Sequence, residues 1–337
     1  MSLQIKSLVK SEVTVQLYAL AHSPSIKVGK AGKAYCDLTL CDQSGEIDAK
    51  IFSPTDDQIT LIEMCKTKPT IVWVEGQTNE YNQQMQIIVR KIRFVENDEG
   101  VSLSNFIKWA PQPADEYLGV YKNALSKIQH PSLNLITRTL LNAHASELKH
   151  VPAAQKMHHN VAGGLIWHTS NMLQLCDTLL ALYPNDLNPD LLRAACILHD
   201  LAKCQEFIIA EGTGKVSEYS LVGKLKGHIV MISEEVRETA RMNGMDPSDE
   251  MIILLQHTIL GHHGKREFGS PELPKTPEAI ALAYIDLLDS RMGAVHRLLE
   301  ATPKGTWSGR DYALETDLYH HPFVPGYPLD EENDRKV

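Results

Sequence analysis

His199 and Asp200 stand side by side near the end of an apolar run, in Ile197-Leu-His-Asp-Leu-Ala-Lys203, with a lysine three residues beyond the aspartate. Neighbouring side chains on a helix point roughly 100° apart, so one apolar contact face cannot account for both. A polynuclear metal centre can, because imidazole nitrogen and carboxylate oxygen then serve one ion or bridge two. Other ligand types follow the same order along the chain: His168 after Gly163-Gly164, His228 in Gly223-Lys-Leu-Lys-Gly-His228, the pair His262-His263 between two glycines, and Asp286. Each has an ordinary structural explanation when taken singly. His262-His263 would suit a helix C-terminus, and Asp286 could pair with Arg291. Together the seven exceed what one ion needs and match two ions bridged by Asp200. Imidazole mixed with carboxylate suits a divalent transition metal, Mn, Fe, Co, Ni or Zn, better than the all-oxygen shell of Mg or Ca, and Mn is the ion expected here. One or two ions are both open from the sequence. Lys203, one turn from Asp200, is a candidate for stabilising a phosphate; its structural alternative is to complement a helix C-terminus.

These residues need elements to hold them. From about residue 116 to 300 the apolar spacing is helical, over 116–148, 165–182, 189–201, 225–243, 249–260 and 277–299. This places His168 near a helix start, and His199-Asp200 and His262-His263 at helix ends. Residues 1–97 read differently, as five short strands near 13–18, 34–40, 46–52, 71–75 and 84–90, with a helical stretch at 56–64 between the third and fourth. That is the layout of an OB-fold, a small barrel that often binds single strands. Residues 98–115, which open on Asp98-Glu-Gly100 and end near Trp109-Ala-Pro-Gln-Pro113, read as a linker, and 301–337 as an irregular segment with an acidic tail. The expected architecture is an all-β OB barrel followed by an all-α domain.

The 337 residues fit two domains. No apolar run reaches the ~18 residues of a membrane span, and the first residues lack a secretory apolar region. Six cysteines without a CxxC pair suit reduced thiols, so a cytoplasmic location is expected. Charge is uneven. Through Val95 there are 11 Lys+Arg against 10 Asp+Glu, and the remainder carries 22 against 32. A nucleic-acid partner therefore has to meet a local basic stripe. Lys27, Lys30 and Lys33 in the first hairpin loop, with Tyr35 beside them, offer cations for phosphates and a ring for a base. The structural alternative is a solvated loop, with Phe52 and Trp73 in the barrel core.

The order His, His-Asp, His, His-His, Asp resembles the HD-domain metallo-phosphohydrolases. Three longer strings sharpen the likeness: His158-His-Asn-Val-Ala-Gly-Gly-Leu-Ile-Trp-His-Thr169, the Gly223–His228 string, and Leu255-Gln-His-Thr-Ile-Leu-Gly-His-His-Gly-Lys-Arg266 with its continuation to Lys275. They are similar to the YhaM-type 3′→5′ exoribonucleases, which carry an OB module before the HD domain. The likeness runs from about 10 to 295. It implies His168, His199, Asp200 and Asp286 on one ion, His228, His262 and His263 on a second, and His159 as a substrate contact. Two positions beside the site depart from the family: Ala202 stands where it usually has Gly, and Trp167 where it has Glu.

The expected activity is metal-dependent 3′→5′ hydrolysis of single-stranded nucleic acid, RNA before DNA. The polarity comes from the resemblance alone. Lys265 and Arg266, just after the double histidine, would reach the next phosphate, and a homo-oligomer would suit strand threading. Two other readings stay open: hydrolysis of a nucleotide or cyclic nucleotide, and a nucleic-acid-binding protein whose metal site is structural.

Overall fold

This computed structural model describes residues 4–9, 14–29, 32–81, 84–96, 99–102, 105–155, 159–210 and 214–323. Lys30 and residues 324–337 lie outside them.

Among the described residues, strands β1 (Thr14–Val28), β2 (Ala34–Asp42), β3 (Gly45–Phe52), β4 (Thr70–Tyr81) and β5 (Gln84–Phe94) close a barrel in the order β1-β2-β3-β5-β4, sealed by parallel β3–β5 and antiparallel β1–β4 pairing. With helix α1 (Asp56–Thr67) between β3 and β4, this is the OB arrangement. Strand parity sets the core: Ile47, Ala49 and Ile51 point inward on β3, and Leu61, Ile62 and Cys65 of α1 pack with them. The same parity turns Phe52 outward at 58% exposure, and the buried Val72 and Val74 leave Trp73 facing out beneath Arg93. Neither ring joins the core. β1 runs ten residues past its expected end, because Ser23 (φ 51°) opens a bulge and the strand resumes at Ser25.

The second part is helical. Helices α2 (Ala114–Ser126), α3 (Pro131–Ala143) and α4 (Ala145–Leu148) replace the single expected run, with Pro131 opening a new helix at its first position. Then come α5 (Gly164–Leu182), α6 (Pro189–Leu198), α7 (Lys203–Glu206), a hairpin of β6 (Phe207–Ile209) and β7 (Val216–Tyr219), α8 (Leu221–Lys226), α9 (His228–Met242), α10 (Glu250–Leu260) and α11 (Pro277–Glu300). Helix α6 is buried nearly all round and packs against α3, α5, α10 and α11. Its end therefore delivers His199 and Asp200 to the centre of the bundle. Between barrel and bundle, 105–113 is packed down: Phe106 buries against Leu20 and Cys41 of the barrel, and the Lys108 and Ala110 backbones pair with Ala162. No described helix is long and apolar enough to cross a membrane.

Candidate metal centre and nucleic-acid face

The seven ligand candidates converge from α5, the end of α6, the start of α9, the turn after α10, and α11. Asp200 is the hinge of the arrangement. Its Oδ1 lies 3.1 Å from His228 Nε2 and 3.7 Å from His262 Nε2, whereas its Oδ2 lies 3.4 Å from His199 Nε2 and 3.9 Å from His168 Nε2. Asp286 Oδ1 adds a contact at 3.2 Å to His168 Nε2. Within the seven, two groups can each bring three ligand atoms within 4.8 Å of one another: His168, His199, Asp200, and His228, His262, His263.

All five imidazoles are turned by the same device. Nδ1 of His199, His262 and His263 lies 2.7–2.9 Å from the carbonyls of Cys196, Ile259 and Phe268. Nδ1 of His168 lies 2.6 Å from Asp289, and that of His228 2.9 Å from Glu206. Carbonyl oxygens only accept and the two carboxylates are ionised, so each Nδ1 carries a proton and each Nε2 is the atom turned toward the centre. The buried Nε2 atoms of His199, His228 and His262, and Asp200 Oδ1, make no hydrogen bond. Buried polar atoms are ordinarily satisfied, and a group of them aimed at one point fits a cation. The donor set, imidazole with carboxylate, suits a divalent transition metal.

The electrostatics agree. Burial pushes His262 and His263 below the usual imidazole range, which keeps them neutral. His168 differs: burial would lower it, but the Asp286 and Asp289 carboxylates outweigh burial and hold that ring up at about 9, so a cation taking its Nε2 would displace a proton. Burial disfavours the Asp200 anion, yet Lys203 and His199 keep its carboxyl well below the ordinary value. Lys203 Nζ is fixed between Asp200 Oδ2 at 2.6 Å and the Ala153 carbonyl at 2.8 Å, although its side chain still lines the cavity before the cluster.

Other expected contacts fall elsewhere. His159 is buried, its Nε2 on Asp289 at 2.9 Å and its ring edge-on to Trp167, so it sits behind His168 and not in the cavity. Lys265 and Arg266 are exposed beside Glu267 and Glu272, outside the cavity lining. Asp286 does not pair with Arg291; it faces His168. His257 turns away and accepts from the Lys275 amide. Asp289 and Glu206, which orient two of the rings, carry no spacing or motif that marks them as part of the site in the sequence. Ala202 is fully buried in right-handed helical backbone and needs no glycine there.

On the barrel, Tyr35 pairs across β2–β3 with Phe52, their rings 6.1 Å apart, and Lys27 pairs with Tyr35 across β1–β2. Lys27 and Lys50 both reach Asp37, at 2.8 and 2.7 Å, and Lys33 is exposed nearby. One carboxylate thus offsets part of the basic stripe. The ring pair joins it to make a face of cations and aromatics.

Comparison with known proteins follows the same division. The profile of the HD domain matches residues 165–291. A "3′-5′ exoribonuclease YhaM" of Geobacillus sp. (strain WCH70) is 37% identical over 331 residues, covering 97% of this chain and 98% of that protein. The protein of the same name in Bacillus subtilis (strain 168) is 36% identical, covering 94% and 98%. That of Bacillus velezensis is 37% identical over 94% and 98%. With nearly the whole of each protein aligned at this identity, the chain belongs to the YhaM 3′-5′ exoribonuclease family.

Proposed function

We infer that this protein is a metal-dependent 3′→5′ exoribonuclease, with residues 116–300 supplying the chemistry and the barrel, residues 1–97, supplying grip on single-stranded RNA. The observation that carries the metal assignment is the split of Asp200. One oxygen faces His228 and His262, the other His168 and His199, as a carboxylate bridging two ions requires. His168, His199, Asp200 and Asp286 would hold one ion, and His228, His262, His263 and Asp200 the other, with Mn²⁺ the first candidate. When bound, the metal pair supplies acidity to a water and neutralises charge on the phosphoryl oxygens. The chain's own part is to anchor five imidazoles by Nδ1 so that Nε2 faces the centre, hold Asp200 ionised through Lys203, and leave His263 and Asp286 open to the cavity. A structural metal site is closed by its ligands; this one borders a cavity of about 880 Å³, which favours catalysis. Six unpaired cysteines fit a reducing, cytoplasmic location.

The test is a 5′-labelled single-stranded RNA, run beside its DNA counterpart, with Mn²⁺ and then with chelator. Wild type should give a ladder shortening from the 3′ end, abolished by chelator and by Asp200→Ala. Replacing Tyr35, Phe52, Lys27 and Lys33 with alanine together should weaken binding of long RNA roughly tenfold or more, at ~1–3 kcal/mol per stacked base, while the centre still turns over short RNA. An intact strand under every metal sinks the nuclease reading.

A further inference from the structure

The cavity before the ligand cluster has a second wall, made partly by the chain that follows α11. Asp200, His263 and Asp286 line it, and so do Arg291 of α11 and Arg310 and Tyr312 of the chain that follows. The wall is braced. Arg297 reaches from α11 to Asp311 at 2.8 Å, and Asp311 accepts from the amides of Ala313 and Leu314. The buried His320 holds the Thr302 carbonyl at 2.6 Å, which ties the far end of the segment back to the end of α11. Trp307 and Tyr319 pair between, with ring centroids 5.4 Å apart.

Along this cavity three side chains make no hydrogen bond or ion pair among the described residues. The Arg291 and Arg310 guanidinium groups make no ion pair among the described residues, although acids outnumber bases in this part of the chain. Tyr312 is 93% exposed, more than any other large apolar or aromatic side chain described. A guanidinium fork matches phosphate oxygens, and an uncovered ring is a surface on which a base stacks. Glu267 and Glu315 line the same cavity and repel phosphate, which directs it toward the arginines. Ring and cations together describe a nucleotide.

We propose that Tyr312, Arg291 and Arg310 form a nucleotide subsite facing the ligand cluster, with Tyr312 stacking a base and the arginines taking phosphate oxygens of the strand end. In its link to strand cleavage the subsite rests on the exoribonuclease reading, but nucleotide binding is measured without turnover. Adenosine 5′-monophosphate and ribose 5-phosphate are titrated by calorimetry into the full chain supplied with Mn²⁺. The first should bind about tenfold more tightly than the second, the scale of one stacked base. Tyr312→Ala should bring the two together, Tyr312→Phe should keep the gap, and Arg310→Ala should weaken both by the same factor.

Equal affinities in wild type, no binding of either ligand, or a gap that survives Tyr312→Ala would overturn the subsite. An unchanged Arg310→Ala titration would overturn the role given to the arginines. The RNA ladder, run on the same preparation, separates the two ideas. A gap without strand shortening would defeat the exoribonuclease reading and leave the nucleotide subsite standing.

Discussion

Orientation of the centre is decided one atom behind it. Three rings lean on backbone carbonyls that no substitution removes, but His168 leans on Asp289 and His228 on Glu206. Asp289→Asn should therefore weaken one Mn²⁺ site and Glu206→Gln the other, each by about 10–100-fold, the usual effect of removing a ligand's hydrogen-bonding partner. Calorimetric titration with Mn²⁺ resolves the two; isotherms that overlay wild type would show that these carboxylates do not matter. The seven candidate ligands were legible because their types are costly to bury without a purpose. The supporting acids were not. Asp289 follows Asp286 by three residues on α11 and carries the same charge, so only the direction of the helix face separates ligand from support. Lys265 and Arg266 look like phosphate contacts by their nearness to His263, yet the turn after α10 carries them to exposed acids.

At the scale of elements, close approach of backbones fixes the ligands. A Cβ on Gly223 of α8 would lie 2.7 Å from the Glu206 carbonyl oxygen and 2.8 Å from its Cγ. The same Glu206 holds both the backbone N–H and Nδ1 of His228, where α9 starts after Gly227 at φ 74°. Gly223→Ala should cost about 1–3 kcal/mol by overpacking, and it should weaken Mn²⁺ binding at the His228 set more than at the His168 set. A thermal melt and a Mn²⁺ titration indistinguishable from wild type would refute this coupling. Strand positions could be read from alternation, and the same parity, applied to Phe52 and Trp73, would have placed both rings outside. The β6–β7 hairpin was hidden because three residues of Phe-Ile-Ile carry no period. The bulge in β1 was hidden because Ser23-Pro24 reads as a turn.

For the whole molecule, the join between barrel and bundle includes one charged contact, Lys215 of the β6–β7 hairpin on Glu46 of β3, with His22 3.4 Å from the same carboxylate. His22 and Lys215 together draw Glu46 down to about 2 against the opposing effect of burial. The folded state then binds fewer protons than the unfolded one between about 4.5 and 2, so the contact stabilises above that window and its contribution disappears as pH falls through it. Because Glu46 is partly solvated, Glu46→Gln should cost at most about 1 kcal/mol at pH 7. The gap between the two proteins should close toward pH 2–3. Urea melts across that range measure it, and a gap that widened on acidification would refute the assignment. This join was not legible in sequence, since its partners lie 169 residues apart.

Trp167 gives the centre a way to be seen. Its indole meets the His159 ring edge-on with centroids 4.0 Å apart, and His159 shares Asp289 with His168. An excited indole gives up an electron more readily to an imidazolium than to a neutral imidazole. Any event that redistributes protons along this line, such as a cation settling against His168, changes how brightly that one indole glows. Trp167 thereby turns an electrical change at the heart of the protein into light.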